Sequence, residues 1–200
     1  MTITDATRTQ PWRSAHDRGT AMRLAAGEYA RFADLLEQLE PEHWGMPTDC
    51  PAWDVRAMAG HVLGMTELMT SYVELVRQQL RTALRQRSVG GPMIDSLTAI
   101  QVEKNQGLDT TELVAAMRTA GPRAVRGRRR MPAIMRSRTM KQDTPDGRTE
   151  VWTLGFLTDT ILTRDPFMHR IDITRATGLP LPPTPEHEGQ VVADVVQEWA

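Results

Sequence analysis

The strongest constraint on the fold is an apolar repeat in the first half of the chain. Apolar side chains recur there at alternating intervals of three and four residues, at Val55, Met58, Val62, Met65, Met69, Tyr72 and Val76. This spacing puts them on one face of an α-helix and is typical of helices in a bundle. Asp54 is a suitable N-cap and Gly90 breaks the pattern, so a single helix is predicted from Val55 to about Arg87.

Helical patterns recur along most of the remaining chain. They cover, approximately, residues 18–40, 93–106, 109–125, 152–178 and 184–199. Residues 127–150 are basic, then polar, and contain glycine and proline, so most of them are predicted to be loop. No stretch alternates apolar and polar residues over the length of a strand. The sequence therefore predicts an all-α fold of four or five helices in antiparallel order.

The length of 200 residues fits one domain with a small appendage. We expect a flexible N-terminal tail over residues 1–15, a metal-binding helical bundle over residues 16–178, and a Pro-rich connector with a C-terminal helix over residues 179–200. Hydrophobic residues make up 40% of the chain and charged residues 24%, which is typical of a globular protein and not of a disordered one.

The composition also disfavours several classes of function. The chain has no run of the ~18 apolar residues that a membrane span needs, and its polar N-terminus does not resemble a secretory signal. The formal net charge of −1 gives no general attraction to nucleic acid. Cys50 is the only cysteine, which excludes an internal disulfide and a cysteine-based zinc cluster. We therefore predict a cytoplasmic protein with neither a nucleic-acid nor a membrane partner.

Two of the five histidines lie inside strongly patterned helices. His61 flanks the apolar repeat near the start of its helix. His169 follows Asp165 by four residues and precedes Asp172 by three, so these three side chains share one helix face. Two histidines and one carboxylate on facing helices are a common ligand set for Zn²⁺ or another divalent cation, with one coordination position left open. The alternative is that both histidines simply lie at the edge of the core.

Pro166 leaves two roles open for Asp165. A residue that precedes proline avoids the α-helical conformation, so Asp165 could cap the helix or lie at a kink. In that case Asp172 becomes a candidate metal ligand. If Asp165 does bind the metal, Asp172 is expected to accept a hydrogen bond and to orient a neighbouring ligand.

Two segments of the chain resemble the signature of a known family. The first, Trp44–Gly64, reads WGMPTDCPAWDVRAMAGHVLG, and the second, within Trp152–Gly178, contains RDPFMHRIDITRATG. Both are similar to the mycothiol-dependent maleylpyruvate isomerase family, which lies within the DinB-like group of metal-binding four-helix bundles. The resemblance extends over about residues 15–178 and implies a DinB-like antiparallel four-helix bundle, to which the helical pattern adds a C-terminal helix.

The resemblance also implies a site and a chemistry. By position, His61, Asp165 and His169 bind one divalent metal ion, usually zinc. The family's isomerase has glutamate where this chain has Asp165, which is one methylene shorter. In the family the metal binds a low-molecular-weight thiol, mycothiol, lowers its pKa and presents a thiolate nucleophile. The implied partners are therefore a small-molecule thiol and an electrophilic substrate, with transferase or isomerase activity.

An arginine-rich stretch covers residues 123–141. Within it, Arg126, Arg129 and Arg130 are candidates for binding the carboxylate of a thiol cofactor or of a substrate. A solvated basic loop is the alternative interpretation. Nucleic-acid binding is disfavoured because no aromatic residues are interleaved with the arginines.

The sequence leaves two other functions open. The same metal position could activate water in a hydrolase. Alternatively, the metal could only stabilise a bundle that binds a small molecule or a partner without turnover. The apolar last helix, which has no C-cap before residue 200, also suggests a homodimer.

Overall fold

The protein is built mainly of α-helices. The structure, a computed structural model, describes residues 10–143 and 148–199. The helices are α1 (Arg18–Glu37), α2 (Val55–Leu68), α3 (Tyr72–Val89), α4 (Met93–Asn105), α5 (Thr110–Arg130), α6 (Ala133–Arg136), α7 (Leu154–Phe156), α8 (Leu162–Thr177) and α9 (Glu188–Trp199). A short 3-10 helix spans Pro41–Gly45, a π-helical turn spans Leu157–Ile161, and one sheet consists of β1 (Thr139–Asp143) and β2 (Thr149–Thr153).

Helices α1, α2, α5 and α8 form a four-helix bundle around an apolar core. Fully buried members of this core include Met22, Phe32, Val55, Met58, Leu113 and Ile173. α1 and α5 are antiparallel, because Arg118 binds Glu37 at the end of α1 (2.8 Å) while Arg18 at its start binds the carbonyl of Arg128 (3.1 Å). The predicted all-α bundle with an additional C-terminal helix, α9, is confirmed.

The single long helix predicted between residues 55 and 87 is wrong, because the structure divides it into α2 and α3. Ser71 adopts an extended conformation, and its hydroxyl accepts a hydrogen bond from the backbone N–H of Glu74 (3.2 Å), so it caps a new helix. Beyond this break Tyr72 and Val76 continue the apolar spacing, yet they are 69% and 55% exposed. Helical spacing defines a face of a helix, but it does not determine whether another element covers that face.

Helices α3 and α4 form a helical hairpin that packs against α2 through α4. The side chains that these two helices bury are polar: Gln78, Thr82, Ser96, Gln101 and Asn105. The outer face of α3 carries apolar residues that are more than half exposed, among them Val73, Val76, Leu80 and Leu84. The hairpin therefore directs polar side chains inward and apolar ones outward.

Residues 127–150, predicted to be mostly loop, contain regular structure. α5 continues through Arg130, and β1 pairs with β2 in an antiparallel hairpin. Trp12 extends this sheet, since its backbone N–H donates to the carbonyl of Val151 (2.8 Å). Exposed and partly covered positions alternate along both strands, but polarity does not follow this alternation: Gln142 and Glu150 are partly covered, whereas Val151 is exposed. The sequence pattern therefore does not predict the strands.

A buried ionic cluster attaches the C-terminal segment to the bundle. Arg170 of α8 donates two hydrogen bonds to the carboxylate of Glu28 on α1 (2.9 and 3.0 Å) and one to Glu188 on α9 (2.7 Å). Nε2 of His187 lies 2.7 Å from the same Glu28 carboxylate. α9 begins at Glu188, later than the predicted start at Thr184, and the Thr184 hydroxyl donates a hydrogen bond to the Glu188 carboxylate (2.7 Å).

The division into a tail, a bundle and a C-terminal segment stays a prediction, and residues 1–9 of the predicted tail lie outside the described residues. Among the helices of residues 10–143 and 148–199, none is long and apolar enough to cross a membrane.

Candidate metal centre

His61 lies in the second turn of α2 and faces α8. The helix begins after Asp54, whose carboxylate accepts a hydrogen bond from the backbone N–H of Ala57 (2.7 Å), which confirms the predicted N-cap. His61 is only 2% exposed, and its Nδ1 lies 2.9 Å from Oε1 of Gln101 on α4. Its Nε2 lies on the opposite side of the ring, 3.4 Å from Oδ1 of Asp165.

Pro166 lies inside α8 without ending it. Because proline has no N–H, the carbonyl of Leu162, four residues earlier, loses its helical hydrogen-bond partner. The hydroxyl of Tyr29 (3.3 Å) and the guanidinium of Arg128 (3.4 Å) donate to that carbonyl instead. The helix therefore continues, and Asp165 is a residue of its first turn whose carboxylate faces α2 and caps no helix.

Three candidate ligand atoms converge between α2 and α8. One atom each from His61, Asp165 and His169 lies within 4.8 Å of the others. Oδ1 of Asp165 is 3.4 Å from Nε2 of His61 and 3.7 Å from Nε2 of His169. Ligand atoms bound to a tetrahedral zinc ion at about 2.0–2.1 Å are separated from one another by roughly 3.3–3.5 Å. The short aspartate side chain thus reaches both nitrogens at separations close to those of a zinc centre.

The other carboxylate oxygen of Asp165, Oδ2, is buried and has no hydrogen-bond partner among the described residues. Burial tends to raise the pKa of this carboxyl, but the neighbouring His61 and His169 outweigh burial and hold the pKa of Asp165 below its ordinary value. A buried oxygen without a partner costs folding free energy, and a cation bound at this point would remove that cost.

The ring of His169 is held in the same way as that of His61. Oδ2 of Asp172, one turn along α8, lies 3.2 Å from Nδ1 of His169, so Nε2 is the nitrogen that faces Asp165. This is the orienting contact that the sequence predicts for Asp172 if Asp165 is the ligand. The side chains of His169 and Asp165 are 17% and 21% exposed, so the group is partly accessible to solvent through its two α8 residues.

Two further residues at this site, Trp53 and Gln101, are not among the predicted site residues. The ring of Trp53, just before α2, lies 4.8 Å from the ring of His61 and 5.9 Å from that of His169, between centroids. Its only sequence signal is its place in the Cys-Pro-Ala-Trp segment of the first family signature. The sequence gives no indication that Gln101 belongs to the site. The apolar pattern of α4 is weak, so it does not show which residue the Gln101 amide contacts.

The arginine candidates lie elsewhere on the bundle. Arg126, Arg129 and Arg130 are exposed at the C-terminal end of α5. This part of α5 packs against Met69, just past the end of α2. Since Met69 is eight residues beyond His61, the two are about 12 Å apart along the axis of α2. Arg130 borders a cavity of about 230 Å³, and anion binding by the three arginines stays a prediction.

The family model described as the mycothiol maleylpyruvate isomerase N-terminal domain matches residues 25–174. The crystal structure of the mycothiol-dependent maleylpyruvate isomerase is similar with a TM-score of 0.53 and 13% sequence identity, covering 79% of this chain and 61% of that chain. A mutant of that enzyme gives a TM-score of 0.49 with the same identity and coverage. No curated protein matches the chain.

The family-model match shows the family, and the solved structure with a TM-score of 0.53 supports the fold. The chain spans about three fifths of the solved isomerase, and at 13% identity the structural likeness concerns the fold alone. The matched residues, 25–174, include both the segment with His61 and the segment with Asp165 and His169. The chain therefore belongs to the family of the mycothiol maleylpyruvate isomerase N-terminal domain.

Proposed function

We propose that His61, Asp165 and His169 hold one divalent metal ion, and that the protein is a mycothiol-dependent transferase or isomerase-like enzyme. The observation that carries this proposal is the convergence of two imidazole nitrogens on one carboxylate, whose Oδ2 is buried and has no partner among the described residues. Nitrogen and oxygen donors of this kind suit Zn²⁺. When bound, such an ion lowers the pKa of a coordinated thiol and makes it a nucleophile.

The residues around the ligands have supporting roles in this proposal. Gln101 and Asp172 hold the Nδ1 atoms of the two histidines, which leaves both Nε2 atoms facing Asp165. Trp53 covers the imidazoles on one side and keeps water from that side. The thiol and an electrophilic substrate would approach from the α8 side, where Asp165 is partly exposed.

Metal content tests the ligand set directly. We expect the purified protein to bind about one equivalent of Zn²⁺ and the variants His61→Ala and His169→Ala to lose it, as measured by elemental analysis after dialysis. His43→Ala is the matched control, because His43 lies in the 3-10 helix outside the centre and its Nδ1 accepts a hydrogen bond from the backbone of Glu40. Unchanged metal content in both ligand variants would rule out this site.

A thiol titration tests the chemistry. In the Co²⁺-substituted protein, mycothiol is expected to change the visible spectrum and to add a sulfur-to-cobalt charge-transfer band. A spectrum that responds only to water-derived ligands, together with hydrolysis of model esters, would favour the hydrolase alternative. Metal binding without a thiol response or turnover would favour a metal-stabilised binding protein.

A further inference from the structure

Behind the candidate metal centre, two buried glutamines connect His61 to the α3–α4 hairpin. Oε1 of Gln101 on α4 lies 2.9 Å from Nδ1 of His61, and Nε2 of Gln101 lies 3.0 Å from Oε1 of Gln78 on α3. Gln101 is fully buried and Gln78 is 2% exposed. Water therefore does not compete for these hydrogen bonds, and each polar atom depends on its protein partner.

The orientation of the two glutamine amides is fixed by neighbouring oxygen atoms that can accept a hydrogen bond but cannot donate one. The Nε2 group of Gln78 donates to the backbone carbonyl of Gly64 (3.0 Å) and to Oε1 of Glu74 (3.0 Å). A rotated Gln78 amide would place its oxygen against both acceptors, so this rotation is disfavoured. With Oε1 of Gln78 fixed as an acceptor, Gln101 must present its Nε2 to Gln78 and its Oε1 to His61.

We propose that Gln78 and Gln101 are positioning residues that fix the tautomer of His61, with the proton on Nδ1 and the lone pair on Nε2. The oxygen of Gln101 can only accept, so a hydrogen bond to it requires a proton on Nδ1 of His61. Nε2 then carries the lone pair, and it is this nitrogen that faces Asp165. The inference rests on the proposed metal centre, and it gives Gln78 on α3 and Gln101 on α4 the role of orienting His61 in that centre.

This support matters because a free neutral histidine favours the other tautomer. In that form Nε2 carries the proton and has no lone pair for a metal ion. Gly64 allows the close approach that the hydrogen bond needs, since a Cβ atom at this position would lie 2.6 Å from Cβ of Gln101. His169 needs no comparable relay, because its Nδ1 faces a carboxylate on its own helix, Asp172.

The position of the proton can be measured in the metal-free protein. With isotopically labelled histidine at alkaline pH, we expect the nitrogen shifts of wild-type His61 to show a protonated Nδ1 and an unprotonated Nε2. Gln101→Met removes the acceptor, and Gln78→Met leaves the Gln101 amide free to rotate. Both variants are expected to shift His61 toward the Nε2-protonated form and to lower its affinity for Zn²⁺ by about 10- to 100-fold.

Asn105→Leu is the matched control. Asn105 also joins α4 to α2, through a hydrogen bond to the carbonyl of Gly60 (2.8 Å), but it lies outside the chain of amides. This variant is expected to keep the wild-type tautomer. A proton on Nε2 in the wild-type protein would overturn the inference, even if every variant failed to fold. An unmoved tautomer in folded Gln101→Met would do the same, whereas the proposed function fails separately if the wild-type protein binds no metal.

Discussion

The four-helix bundle buries a mainly apolar set of side chains, whereas the α3–α4 hairpin buries polar ones. The bundle encloses apolar residues such as Phe32 and Met58. The hairpin buries Gln78 and Gln101 and leaves Leu80 on its outer face 61% exposed. Both regions consist of regular helices, so the difference lies only in which face meets a neighbour.

Apolar burial in the bundle mainly provides stability, whereas hydrogen bonds from the hairpin mainly fix the orientation of side chains. Apolar burial is strong and non-directional, about 25 cal/mol per Å², and it holds the bundle together without specifying where a proton lies. A hydrogen bond contributes only about 1 kcal/mol net, but it fixes which atoms face each other. A polar hairpin behind His61 is therefore suited to orienting an imidazole that an apolar core could only enclose.

The largest expected effect is in the bundle core. Phe32→Ala should lower the free energy of unfolding by about 3–5 kcal/mol, because it leaves a cavity where a fully buried ring packs. Denaturant unfolding would measure this loss. A smaller loss of unfolding free energy for Phe32→Ala than for Gly64→Ala or Glu74→Gln would show that stability is not concentrated in the bundle.

A smaller effect is expected where the two regions meet. Gly64→Ala would place a Cβ atom 2.6 Å from Cβ and 2.7 Å from Cγ of Gln101, and should cost about 1–3 kcal/mol. Zinc affinity should fall with it, because α4 must move away from His61. Gly60→Ala on the same helix is the control, since its Cβ would meet Asn105 at an ordinary 3.5 Å. Equal losses of zinc affinity in both variants would contradict the role of the close approach.

The polar hairpin should also respond to acid more than the core does. Burial tends to raise the pKa of Glu74, but hydrogen bonds from Lys104 and Gln78 outweigh burial and hold this pKa below its ordinary value of 4.5. The stabilisation by Glu74 is therefore complete above pH 4.5 and is lost as the pH falls through the lower folded-state pKa.

Comparison of the wild-type protein with Glu74→Gln tests this pH dependence. The variant should be about 1–2 kcal/mol less stable at neutral pH, and the difference should vanish in acid. Glu37→Gln, which weakens a half-exposed contact with Arg118 on the bundle surface, should cost less. A difference for Glu74→Gln that does not change with pH would mean that charge is not its cause.

The smallest effect is expected on the outer face of α3. Leu80→Ser should change the free energy of unfolding by no more than about 0.5 kcal/mol, because this side chain is 61% exposed. Urea unfolding at two protein concentrations would measure it. A larger loss that depends on concentration would indicate that a second copy covers this face.

Local features of the fold could be predicted from the sequence, whereas the coverage of each face could not. Asp54 caps α2 as its position predicts. Asp109 caps α5, and Gly178 ends α8 in a left-handed conformation, both of which are typical positions for these residue types. The break at Ser71 could not be found in the same way, because the apolar spacing continues through it. Pro166 leaves the role of Asp165 open in the sequence for a related reason. The groups that donate hydrogen bonds to the Leu162 carbonyl, and so allow the helix to continue, come from α1 and α5.

By itself the sequence determined most of the helices, the cap at Asp54 and the i, i+4 pair of Asp165 and His169, because these depend on residues within about one turn of each other. Only the tertiary structure decided that His61 meets Asp165 across 104 residues, and that amides on α3 and α4 lie behind it. Such contacts depend on which helix faces pack together. The packing of helix faces depends on the whole core and on directional hydrogen bonds between distant segments. A local sequence pattern does not contain this information.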